Sequence, residues 1–111
     1  MKRDEIFLAR LDPVEGSEIG KTRPVVIVSD DLRNQLLQTL VVCPLTSQLR
    51  PQWRSRLRVR CAGKDADVAV DQIRVLSKAR LIRRIDRLGA PAAAALRRLI
   101  SEMYGVVENR K

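Results

Sequence analysis

Arg56-Leu57-Arg58-Val59-Arg60-Cys61 alternates charged and apolar residues without a break. Successive side chains of an extended strand point to opposite faces. The pattern therefore predicts a strand with Leu57, Val59 and Cys61 turned inward and three arginines turned outward. After it, Gly63-Lys64-Asp65 predicts a turn, and residues 67–76 (DVAVDQIRVL) a further strand with a bulge near Asp71. Before it, residues 46–54 (TSQLRPQWR) form a polar loop. Residues 38–45 (QTLVVCPL) predict a strand ended by Pro44. Residues 24–29 (PVVIVS) are a continuous β-branched run, as expected of a buried strand, and Asp30, Asp31 and Asn34 then break the pattern. Residues 5–11 predict a short first strand, and residues 12–22, with Asp-Pro and two glycines, a loop. Residues 80–88 (RLIRRIDRL) fit a helix through Leu81, Ile85 and Leu88, or a strand through the alternation Leu81, Arg83, Ile85, Arg87. Residues 90–104 predict a helix. Pro91 suits its first turn, Leu96, Leu99, Ile100 and Met103 form one apolar stripe, and Gly105 stops it. Five or six short strands and one terminal helix predict a small, bent antiparallel barrel with the helix packed against it.

The chain has 111 residues, enough for one domain spanning 1–111 and not for two. Hydrophobic residues are 45% and aromatics only 3%, so the core must be aliphatic. No apolar run approaches the ~20 residues of a membrane span. The opening, Met1-Lys2-Arg3-Asp4-Glu5, is not that of a secretory signal. Lys plus Arg is 22 against 13 Asp plus Glu, a net charge of +9, and 17 of the 22 cations are Arg. A guanidinium binds phosphate or carboxylate through two hydrogen bonds, so this excess points to a polyanionic partner, nucleic acid or an acidic protein segment. An arginine-favouring codon bias explains the same composition. The chain has no His, which removes His-based acid–base chemistry and His metal ligands. Cys43 and Cys61 lie in apolar strand-like runs 18 residues apart. They read as buried thiols in a reducing cytoplasm, with neither a metal site nor a disulfide indicated.

The stretch from Gly16 to Thr22 (GSEIGKT) imitates a phosphate-binding loop but has three residues between its glycines where four are needed. Pro24 and a Val/Ile run follow where a helix must begin. The stretch is therefore read as a decoy, and it gives no ground for nucleotide hydrolysis.

Three motifs in register are similar to those of the MazF/PemK-type toxins. They are Asp12-Pro13, Gly16-Ser17-Glu18 and Lys21 to Ser29 (KTRPVVIVS); Val42 to Gln48 (VCPLTSQ); and Asp71-Gln72-Ile73-Arg74 followed by Arg80-Leu81. The resemblance covers nearly the whole chain. One departure is at the start, where Arg3-Asp4-Glu5 lacks the Gly of the family's usual opening. The resemblance implies an SH3-like barrel with a C-terminal helix, a homodimer, and residues 80–88 as mostly strand. It also implies sequence-specific cleavage of single-stranded RNA with no metal or other cofactor. The implied partner is an antitoxin whose acidic, flexible tail fills the RNA groove.

RNA carries its own nucleophile, the 2′-OH beside the scissile phosphate. A protein accelerates the attack by fixing in-line geometry, neutralising the phosphorane and moving two protons. Within the matched motifs, Arg23 can supply the charge, although a guanidinium is a poor base because its pKa exceeds ~12. Thr46 offers a hydroxyl donor at a strand end. Glu18 is a carboxylate able to accept the 2′-OH proton if burial raises its pKa. Lys21, Ser47, Gln48, Arg56, Arg58 and Arg80 are the candidate RNA-binding residues. Plainer readings stand beside these: Arg23 as an ion-pair partner of Glu18, Thr46 as a strand end, Glu18 as a solvated loop charge, and the arginines as a solvated face. Asp71 and Gln72 read as a structural turn or dimer contact. Trp53 either stacks a base or covers the barrel rim. A DNA gyrase poison of the same fold, like the CcdB proteins, would not need the Arg23/Thr46 pair. A non-catalytic RNA-binding barrel would want more aromatic residues than this chain has.

Overall fold

Short β-branched runs separated by polar turns pair into one curled antiparallel sheet in the computed structural model, which describes residues 1–11 and 21–105. Its strands are β1 (Glu5–Arg10), β2 (Thr22–Ile27), β3 (Thr39–Thr46), β4 (Arg56–Cys61), β5 (Lys64–Ala69), β6 (Arg74–Ser77) and β7 (Leu81–Arg87). The helices are α1 (Asp31–Leu36) and α2 (Ala90–Tyr104), with 3-10 turns at Val70–Gln72 and Lys78–Arg80. The strand order is β4-β5-β3-β2-β1-β7, with β6 also on β3. The architecture is the expected mainly-β barrel with a C-terminal helix.

Strand β3 is the hub. Residues 39–42 pair with β6, residues 42–44 with β2, and residues 45 and 46 with β5. Pro44 sits where the chain changes partners. The expectation that it ends the strand is corrected, since β3 continues to Thr46. A proline lacks the N–H that a continuous ladder uses, and a change of ladders is where that loss is tolerated.

Strand β2 explains why its sequence does not alternate. Val26 packs in one core with Ile6, Cys43, Leu45, Val59, Val68, Leu88 and Leu96. Val25 and Ile27 pack in a second core with Ala9, Leu11, Leu40, Val42 and Leu76. The stretch from Val25 to Ile27 is buried on both faces and is therefore apolar at each position. Helix α2 covers the first core through Ala93 and Leu96, with Leu99, Ile100 and Met103 at its edge. Helix α2 ends as expected. The Gly105 N–H donates to Ser101 O at 2.8 Å, and a side chain at Gly105 would run into that carbonyl.

Four further expectations need correction. The β4–β5 turn falls on Ala62-Gly63, one residue earlier than predicted, and Lys64 and Asp65 already belong to β5. Both turn residues have positive φ, 50° and 81°, which is the backbone of a two-residue hairpin loop. The single strand expected over 67–76 is two strands, because the 3-10 turn at Val70–Gln72 redirects the chain. The Asp30/Asp31 break is the start of α1, where the Asp30 carboxylate accepts from Arg33 N at 2.9 Å as an N-cap. The sheet therefore has seven strands, not five or six, and a second short helix accompanies α2. Residues 80–88 resolve as strand, with β7 paired to β1 through two register shifts.

Candidate active site

The cleft arises from a divergence of strands. Val25 faces Pro44, Val26 faces Cys43 and Ile27 faces Val42. Continued by two residues, that register sets Arg23 opposite Thr46. The ladder does not continue. Arg23 and Pro24 stay with Ala9 and Leu8 of β1, while Leu45 and Thr46 turn to Val68 and Asp67 of β5. The wedge left between β2 and β3 opens a cleft of about 410 Å³. Its near wall is Arg23, Pro24, Leu45, Thr46 and Ser47. Its far wall is the β4–β5 hairpin from Cys61 to Ala66, with Ile85 of β7.

Arg23 is half-buried, and its Nε is a buried donor with no acceptor among the described residues. An unsatisfied buried donor costs about 1–3 kcal/mol. Thr46 is 8% exposed. Its Oγ1 accepts from Gln48 N at 3.1 Å, which leaves the hydroxyl proton to donate. Thr46 also lines a second cavity of about 400 Å³, with Gln48, Arg50, Trp53, Arg56, Asp71 and Gln72. Arg50 and Arg56 lie 5.6 Å and 4.7 Å from the Trp53 ring centre, a double cation–π arrangement.

The three arginines of β4 are not a row of free cations. Arg58 Nε donates to Asp67 Oδ1 at 2.8 Å and Arg60 Nη1 to Asp65 Oδ1 at 3.1 Å, each pair directly opposite in the hairpin register. Arg56 Nε donates to Asp71 Oδ1 at 2.9 Å. Asp67 is buried, and its second oxygen accepts from Arg50 N at 2.6 Å. Burial pushes its carboxyl up, but the bonds from Arg58 and the Arg50 amide outweigh this and hold it below the ordinary carboxylate value. Asp67 thus ties the loop after β3 to the hairpin and pairs with Thr46 in the sheet. Sequence reasoning missed it. The signal was there, since folding the hairpin about residues 62 and 63 sets Asp67 against Arg58.

The other predicted residues are spread more widely. Ser47 lines the first cleft, and Gln48 and Arg56 line the second. Arg58, Lys21 and Arg80 line neither. Lys21 precedes β2 in a left-handed backbone conformation, and its carbonyl accepts from Leu11 N at 2.8 Å. Arg80 donates to Arg10 O at 3.4 Å. Asp71 fills the structural role given to it, at the 3-10 turn beside Arg56. Glu18 lies outside the described residues. Burial raises the Cys43 thiol to about 12 and also raises Cys61, so neither offers a thiolate at neutral pH. Among the described residues no three His, Cys, Asp or Glu side chains are grouped to hold a metal ion. No helix there is long and apolar enough to cross a membrane.

Fold and cleft together define a basic, mainly-β barrel that sets a buried guanidinium donor and a strand-end hydroxyl on one open cleft. Residues 2–104 match the family model described as the PemK-like, MazF-like toxin of type II toxin-antitoxin systems, and the chain belongs to that family. It is 35% identical over 86 residues to Endoribonuclease MazF of Staphylococcus saprophyticus, covering 73% of this chain and 72% of that protein. The fold is shared with the crystal structure of MazF from Deinococcus radiodurans (TM-score 0.84, 20% identity, 96% of this chain and 97% of that one). It is shared too with an endoribonuclease from a mycobacterial species, solved in complex with its cognate antitoxin (TM-score 0.81, 17% identity, 98% and 99% of the two chains).

Proposed function

We propose that this toxin is an endoribonuclease that cuts single-stranded RNA at the Arg23/Thr46 cleft. The observation that carries the reading is that Arg23, whose buried Nε has no partner among the described residues, and Thr46 line one cleft. The 2′-oxygen attacks the adjacent phosphorus and the P–O5′ bond breaks, giving a 2′,3′-cyclic phosphate and a 5′-hydroxyl. Arg23 donates to the non-bridging oxygens, and this interaction strengthens as the phosphorane gains charge. Thr46 donates to the phosphate or to the leaving oxygen. Glu18, the carboxylate of the matched loop motif, is the candidate acceptor of the 2′-OH proton.

RNA supplies both nucleophile and electrophile, so no metal is required by the chemistry. The protein acts in the cytoplasm as a homodimer, and an antitoxin with an acidic, flexible tail occupies the cationic groove. The family match gives the gyrase-poison alternative no support. The test is cleavage of labelled RNA in EDTA. A short recognition motif, 5′-hydroxyl ends and cyclic or 3′-phosphate ends are expected. Intact RNA, or cleavage abolished by EDTA and restored by a divalent ion, refutes the mechanism.

A further inference from the structure

Strands β4 and β7 are the two ends of the sheet path, and no ladder joins them. They are tied instead by a side chain, with Ala62 N donating to Asp86 Oδ2 at 2.7 Å. The other carboxylate oxygen accepts from Arg87 N at 2.8 Å, which fixes the side chain on its own strand. These two amide bonds hold the Asp86 carboxyl below its ordinary value, so it is an anion at neutral pH. The amide it grips belongs to the hairpin tip, at a non-glycine residue with φ of 50°. Asp86 therefore fastens the far wall of the cleft to β7.

That wall carries Lys64, two residues beyond Ala62. Lys64 and Arg23 are the only cations among the described residues lining the cleft. Asp65, the one acid there, is engaged by Arg60 at 3.1 Å. Lys64 is exposed and has no ion-pair partner among the described residues. A half-buried guanidinium on one wall thus shares the cleft with an exposed ammonium on the other. One charge suits the scissile phosphate, and the second suits a neighbouring phosphate of the same strand.

We propose that Lys64 is a phosphate-binding residue of the RNA cleft and that Asp86 is the positioning residue that holds it there. The proposal rests on the endoribonuclease reading. Its test is binding, read with a short mixed-sequence single-stranded RNA carrying 2′-O-methyl sugars, which block the nucleophile. The slope of log affinity against log salt should fall by about 0.7 in Lys64→Ala, the loss of one phosphate contact on a single strand, and should be kept in Lys64→Arg. Asp86→Ala should reduce the slope by part of that amount and add nothing to Lys64→Ala in the double variant. Should Asp86→Ala not fold, Asp86→Asn, which keeps one acceptor oxygen, should fall between wild type and Lys64→Ala. An unchanged slope in Lys64→Ala, from a protein that still cuts ordinary RNA, overturns the proposal alone. Additive effects of Asp86→Ala and Lys64→Ala overturn the positioning role. A wild-type protein that neither binds nor cuts RNA overturns this proposal and the reading beneath it together.

Discussion

Replacing Asp67 by Ala should destabilise the protein far more than replacing an ordinary surface carboxylate. The Asp67 side chain is 2% exposed, whereas its partner Arg58 is 42% exposed. Losing Asp67 strips the Arg50 amide of its acceptor at 2.6 Å, which costs about 1–3 kcal/mol if that amide stays away from water. Loss of the Arg58 pair adds about 1 kcal/mol, because the guanidinium can be rehydrated. The total is about 2–4 kcal/mol. Asp65→Ala is the control. Its pair with Arg60 has both members exposed, and pairs of that kind contribute about 0–1 kcal/mol. Asp67→Asn keeps an oxygen for the Arg50 amide and should fall between the two. Equilibrium urea unfolding followed by circular dichroism gives all three values, provided the slopes agree. Equal losses for Asp67→Ala and Asp65→Ala would refute the view that Asp67 anchors the loop after Thr46.

Two carboxylates, one of them Asp67, set the acid response. Asp67 and Asp86 have folded pKa values below their ordinary one, so the stability they confer is complete above the unfolded value of about 3.9 and is lost as pH falls through the depressed folded values. With no His in the chain, thermal melting should change little between pH 7 and 5 and drop below about 4; a steep fall already between pH 7 and 5 contradicts this. Cys43 and Cys61 should resist alkylation by iodoacetamide at pH 7.5 in the native protein and react once urea unfolds it, and labelling of the folded protein at free-thiol rates would show that burial does not protect them.

Much of the fold was legible because side-chain period reports strand faces directly. The alternation over residues 56–61 and the apolar stripe of α2 each name their buried side. Helix α1 was not legible in that way. Six residues with Leu32 and Leu36 exposed carry no apolar stripe, and its signal is the Asp30 cap alone. The hairpin turn was misplaced by one residue because Ala62 adopts a positive φ that favours glycine, while Gly63 drew the reading forward. At the site, Arg23 and Thr46 were found through a family resemblance. The physical reason a cleft opens beside them, the handover of β3 from β2 to β5 at Pro44, depends on pairing between distant strands. The acid partners of the β4 arginines were hidden for a related reason. Asp65 and Asp67 lie on the next strand and Asp71 in the 3-10 turn beyond it, and only the folded chain brings them to Arg60, Arg58 and Arg56.

The most direct test of the central claim is single-turnover cleavage of an RNA substrate, in EDTA, by Arg23→Ala protein whose circular dichroism and urea midpoint match the wild type. Removing one donor to a developing oxyanion costs roughly 10²–10³ in rate, and a loss of that size is expected here. Cleavage at the wild-type rate by the folded variant would mean that the cleft between β2 and β3 is not where RNA is cut.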